Sequence, residues 1–300
     1  TGRFLYAVNN GDDTVSAYAI DATSGALTAA AGPVSTGRSP QAVAVEPSGR
    51  FVYVATASGV SAYRINGTSG ALTPITGAPR GGINPQSIAV GPAGQYLYVA
   101  NFKATQFGNA SASTVSVYAI NPVGGSPTFV NNVAAGIQPS SVGIHPNGRW
   151  AYVVNKGSAG ASSAASNIEA YAIDPATGIP SAFAAGPYPA GFGPEALALD
   201  PLGRFAYVSD TVQTISEYTI DAATGALTPL SASPVSVVVQ RPHAVQVDPS
   251  GRFLYVAGFG NDSVAAYTID ASTGALSPLG SPISSDGVNP DGLAVVGVAQ

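Results

Sequence analysis

The 300-residue sequence has no cysteine, no methionine, one tryptophan and two histidines, and its only lysines are Lys103 and Lys156. Without cysteine there are no disulfides and no thiolate metal sites. Two separated histidines cannot build a histidine-clustered metal centre. So few lysines, with a net charge of −5, argue against nucleic acid, which is bound by clustered cations. Charged residues make up 9% of the chain, against about 25% in ordinary globular domains. The 45% hydrophobic content nevertheless excludes disorder, which combines low hydrophobicity with high charge. No apolar run approaches the roughly 18 residues needed to cross a bilayer. The first residue is Thr1, which leads us to expect a processed leader and a secreted, periplasmic or cell-surface protein.

What the sequence does have is turns and repeats. With 36 glycines and 24 prolines, tight turns are frequent. A Gly followed by Arg or Gln, an aromatic, one residue and Tyr recurs six times: GRFLYAV (2–8), GRFVYVA (49–55), GQYLYVA (94–100), GRWAYVV (148–154), GRFAYVS (203–209) and GRFLYVA (251–257). Behind each comes a second segment ending in Tyr, such as VSAYAI or ISEYTI. A third then opens at TSGALT or a relative, and a fourth begins at a Pro, as in PQAVAV (40–45) and PHAVQV (242–247). Short alternating segments rich in Val, Ile, Tyr and Phe read as strands, and helix signatures are missing. Four strands in a repeat of about 45 to 55 residues form the blade of a β-propeller. The expected fold is therefore all-β, a single six-bladed propeller over 1–300. In it the opening strand 2–8 and the closing strand 290–298 complete one blade from the two termini.

The repeat accounts for most notable side chains. Twelve of the 14 tyrosines occupy repeat positions, where blade-to-blade packing explains them. Arg3, Arg50, Arg149, Arg204 and Arg252 share one turn, and Asp21, Asp174, Asp221 and Asp270 share another. Glu46, Asp200 and Asp248 mark a third turn, in which His145 is read as one more turn residue.

Variation concentrates where the first strand of each repeat starts, on the expected channel mouth. The residues after the opening Pro are Gln41, Gln86, Ser140, Glu195, His243 and Asp291, and Arg241 lies just before one of those prolines. Asn101, Asn155 and Asp210, at the ends of second strands, belong to the same rim, as does Lys156 in the insertion that follows Asn155. His243, Arg241, Glu195 and Asp291 come from three consecutive repeats. They join a cation, two carboxylates and a group titrating near neutrality, a set suited to acid–base chemistry on an ester or lactone. Polar residues that merely hydrate a channel are the alternative. No cofactor is expected, although Glu195, Asp291, Asn289 and carbonyls would suit a calcium ion.

The stretch DPSGRFLYVAGFGNDSVAAYTIDASTGALSPL (248–279) resembles the repeat of lactonase-type β-propellers. These include 6-phosphogluconolactonase-like and carboxymuconate-cyclase-like proteins, with the YVTN surface repeats as neighbours. The likeness extends over essentially the whole chain. It implies that Pro242-His243 matches the Pro-His of those enzymes, with His243 as acid–base group, Arg241 as anion binder and Glu195 as partner. Two features depart from the family pattern: six repeats rather than seven, and Lys156 where those enzymes tend to carry Glu. Two functions follow as expectations. One is a lactone hydrolase or cycloisomerase using His243, Arg241 and Glu195. The other is an extracellular module that recognises a glycan, polymer or protein through the same face.

Overall fold

The structure, a computed structural model, describes residues 3–23, 26–77, 83–103, 113–157, 166–183 and 186–285. They form six antiparallel sheets, the six blades of a β-propeller, and the one helical turn among them is Asn10–Asp12. The second blade is a simple meander of Ala42–Val45, Phe51–Thr56, Gly59–Ile65 and Leu72–Ile75. In the fourth, fifth and sixth blades the outermost strand is broken in two. Leu227–Pro229 and Val235–Ser236, for example, both pair with Thr214–Ile220. Short, Pro-containing edges of this kind resist pairing with other chains. The first blade shows three strands, Phe4–Asn9, Thr14–Ile20 and Leu27–Ser35. Its expected fourth strand, 290–298, lies outside the described residues.

The described residues fall into two compact units. One holds the chain up to Ala135 with Ile173–Pro180, the other Gly136–Ala172 and the chain from Ser181 on. Each has its own core, around Phe51, Tyr53, Leu97 and Tyr118 in the first and around Trp150, Tyr152, Val208 and Tyr218 in the second. The second strands Phe51–Thr56, Trp150–Asn155 and Phe205–Asp210 are buried at every position rather than at alternate ones. A strand covered on both faces by neighbouring blades reads as a continuous apolar run.

The recurrent Gly-Arg-aromatic-x-Tyr motif is an inter-blade clasp. Its Gly, at φ 69–73 in Gly148, Gly203 and Gly251, makes a left-handed turn that a Cβ would strain. Its Arg lies over the following ring, 5.1 Å away for both Arg149 on Trp150 and Arg204 on Phe205. The motif Tyr donates to a carbonyl of the next blade: Tyr152 Oη to Gly225 O at 2.9 Å, Tyr207 Oη to Gly274 O at 2.7 Å and Tyr53 Oη to Gly125 O at 2.8 Å. Burial raises the pKa of these phenols, which keeps them protonated donors.

His145 belongs to this scaffold. It is 4% exposed, with Nε2 2.8 Å from Gly203 O of the next blade and Nδ1 accepting from the Asn147 amide. Asp200 repeats the arrangement, its carboxylate lying against Gly251 while it pairs with Arg204 at 2.9 Å.

Candidate functional site

The second unit brings together four of the residues expected to form a site. The strands Pro194–Leu199 and Pro242–Val247 start after residues in the left-handed region, Gly193 (φ 60) and Arg241 (φ 49). Ser39, Asn84 and Gln138 precede the corresponding prolines with φ of 49, 54 and 57. Directly after the Pro the pairing register slips, between Pro194 and Ala196 and again between Pro242 and Ala244. Glu195 and His243 are thus the extra residues of bulges, and a bulge re-aims the side chain it carries. Pro85/Ser87 and Pro139/Ser141 show the same slip around Gln86 and Ser140.

One carboxylate oxygen organises the cluster. Glu195 Oε2 accepts from the Lys156 ammonium, and His243 Nε2 lies 3.4 Å from the same oxygen. The Glu195 side chain is 11% exposed, its partners Lys156 and His243 29% and 34%. A mostly buried anion thus sits beneath two half-open groups. Lys156 is held at the end of Trp150–Asn155 by its own amide, which donates to Gln138 O at 3.0 Å. Ser140 Oγ donates to Pro194 O at 2.9 Å, tying the fourth blade to the fifth beside Glu195.

Phe259 supplies an aromatic wall that sequence reasoning did not single out. The Arg241 guanidinium carbon lies 5.0 Å from its ring centroid, and the His243 ring 5.6 Å away at 38°. The Phe259 amide donates to Arg241 O at 3.1 Å, which fixes the loop against the residue it stacks on. The available signal was an aromatic just past the second strand, outside every repeat position.

The other residues expected at the rim are placed differently. Asn101 and Asn155 are fully buried. They donate within their own blades, Asn101 to Ser116 Oγ and Asn155 to Asn167 Oδ1, each at 2.8 Å. Asp210 is 1% exposed, accepts from the Thr214 hydroxyl and the Val212 and Thr214 amides, and has its pKa raised by burial. Gln41 and Gln86 are exposed residues of the first unit. Asp291 lies outside the described residues, as does the Asn289 of the calcium alternative. Among the described residues no three His, Asp or Glu side chains gather as metal ligands.

Chemically, the cluster offers an imidazole oriented by a carboxylate, two cations and an aromatic face. His243 Nε2 lies within ion-pair distance of Glu195, so an imidazolium formed on this ring in a reaction would face a carboxylate. Lys156 and Arg241 are donors for negative charge developing on a bound carbonyl.

The fold defines the protein as a β-propeller. The family model described as lactonase, seven-bladed β-propeller, matches residues 1–82, 78–191 and 181–290, and the chain belongs to that family. The described residues form six blades, one fewer than the family description states. A 6-phosphogluconolactonase of Pectobacterium carotovorum is 32% identical over 130 residues, 41% of this chain and 36% of the relative. The corresponding enzyme of Pectobacterium atrosepticum is 31% identical over the same shares. The match therefore spans little more than a third of these relatives. Among solved structures, a Bacteroides uniformis protein superimposes with a TM-score of 0.79 at 21% identity, covering 97% of this chain and 84% of that one. The periplasmic gluconolactonase of Pseudomonas aeruginosa gives 0.70 at 21% identity, covering 96% and 84%. At such identities the likeness is one of fold.

Proposed function

We propose that the protein is a lactone hydrolase acting on a small-molecule lactone at the cluster of Lys156, Glu195, His243 and Arg241. The observation that carries this reading is the single Glu195 oxygen shared by Lys156 and His243, next to Arg241. The His243 imidazole takes a proton from water as the water oxygen bonds to the lactone carbonyl carbon. The resulting oxyanion is stabilised by the Arg241 and Lys156 cations. The tetrahedral intermediate then collapses, the ring C–O bond breaks, and the imidazolium returns its proton to the leaving alkoxide. Lactone plus water becomes hydroxy acid, with no cofactor consumed. Membership of the family and the two 6-phosphogluconolactonase relatives support the reaction class.

A second reading, a binding module for a glycan, polymer or protein, is favoured by the Arg241–Phe259 stack, which offers an aromatic and cationic platform without any reaction. Proton release from a panel of sugar and aromatic lactones separates the two. Under the hydrolase reading, wild type turns over at least one of them and His243→Ala is slower by about 100-fold or more, the scale of a lost acid–base group. Absence of turnover by folded wild type rejects the hydrolase in favour of the binding module.

A further inference from the structure

The third blade keeps the glycine turn and the tyrosine of the clasp, with Tyr98 Oη donating to Gly178 O at 3.0 Å, but lacks its arginine, and a cavity opens there. In the described copies that carry it, the motif Arg lies over the next ring: Arg3 on Phe4 at 5.3 Å, Arg50 on Phe51 at 5.1 Å and Arg252 on Phe253 at 5.4 Å, besides Arg149 and Arg204. The third blade has Gln95 before Tyr96 instead. It also has Gly91 where the other turns carry Glu46, His145, Asp200 or Asp248. The backbone turn is unchanged, since Gly91 N donates to Tyr96 O at 2.9 Å just as Glu46 N does to Phe51 O. Only the side chains are missing. Ala119 leaves the gap open, as the small residues Ala19 and Ala172 do at the same position, whereas Arg64 of the second blade adds another guanidinium over Phe51 at 5.0 Å.

The cavity measures about 530 Å³ and is lined by Gln95, Tyr96, Ala119, Glu46 and Arg50 among others, all in the first unit. That volume lies within the range of small-ligand sites. The Tyr96 ring is held in place by its hydroxyl, which donates to Ala176 O at 2.7 Å. Glu46 reaches in from the second blade, 6% exposed, with Oε1 so close to Gly94 that a Cβ there would come within 2.5 Å of it. Its other oxygen accepts from the Ser48 hydroxyl. Asp200, in the equivalent position, pairs with Arg204, whereas no ion pair reaches Glu46 among the described residues. Arg50 is committed elsewhere, to Ser48 Oγ at 2.8 Å and Pro122 O at 3.1 Å.

We propose that this cavity binds a guanidinium group, which takes the place vacated by the motif arginine. The ligand would stack on Tyr96 and pair with the Glu46 carboxylate, which is itself buried. The same chemistry is carried by a free alkylguanidine or by an arginine side chain of a peptide. This inference does not depend on the hydrolase reading.

The test is a titration of ¹⁵N-labelled protein with butylguanidinium, with butylurea as its neutral isostere and with the peptide acetyl-Gly-Arg-Gly-amide. Saturable shifts at the amides of 94–96 and 119–120 are expected with butylguanidinium and not with butylurea. Gln95→Arg refills the space with the chain's own guanidinium, so it should weaken binding about tenfold or more while raising Tm. Glu46→Gln should also weaken binding, as an independent check. A tripeptide that binds at least about tenfold tighter than butylguanidinium identifies an arginine of a partner as the source; equal or weaker binding identifies a free small molecule. Equal responses to butylguanidinium and butylurea, no saturable response to either cation, or binding untouched by Gln95→Arg would each overturn the proposal.

Discussion

At the residue scale, one Glu195 oxygen serves both Lys156 and His243. Lys156→Gln removes one of the two cations proposed for the oxyanion and should lower kcat/KM by about 100-fold. Steady-state rates on a turned-over lactone would test this, and an unchanged kcat/KM would detach Lys156 from the reaction. Glu217 is a different case. It is fully buried, its Oε1 accepts from the Leu276 amide at 2.9 Å, its Oε2 has no hydrogen-bond partner, and burial raises its pKa. A carboxyl whose folded pKa is raised binds protons more tightly in the folded state, so stability falls as pH rises from the unfolded value through the folded one. Glu217→Gln should consequently raise Tm relative to wild type at pH 8, with the advantage shrinking as pH falls toward 4. A difference independent of pH would mean that the carboxyl is already neutral at pH 8.

At the element scale, the candidate site depends on a Pro-plus-bulge start that the sequence displays only in part. The prolines and the variable residue after each were legible, because they break an otherwise regular template. The left-handed residue before each Pro was not, since Ser39, Asn84, Gln138 and Arg241 share no side-chain character. Asn155 and Asp210 resembled rim residues by position, yet their side chains turn into their own hairpins, where Asn155 Nδ2 donates to Asn167 and Asp210 accepts from Thr214. The clasp makes a quantitative prediction. Tyr152→Phe removes one buried hydrogen bond and should cost about 1 kcal/mol or somewhat more, as the Gly225 carbonyl loses its donor. Gly225→Ala should cost more. At φ 71 its Cβ is strained, and it would lie 2.5 Å from the Trp150 ring, so about 1–3 kcal/mol of backbone strain adds to the displacement of an indole. Urea unfolding of the two variants would rank them.

At the scale of the whole molecule, a chain with 11 basic and 16 acidic residues in 300 has little charge to keep copies apart. Repulsion vanishes near the isoelectric point of about 4.8, so self-association measured by light scattering should peak there and fall on either side. A monotonic change with pH would mean that acid unfolding dominates instead. Family membership also belongs to this scale, since the repeat recurs along the chain and the family match follows it from residue 1 to 290.

The amino-acid sequence by itself determined the class of fold and the sixfold repeat of its blades. Each repeat is a local instruction: glycine at a turn, apolar β-formers between turns, a tyrosine at a set distance. Local instructions survive in a linear pattern. Tertiary structure decided which polar residues meet. Lys156, Glu195 and His243 come from three blades, and their convergence on one oxygen depends on bulges and on the packing of first strands against each other. The same holds for the space above Tyr96. Gln95 and Gly91 are visible in the sequence as departures from the repeat, but only the packed blades show that no described residue fills the gap.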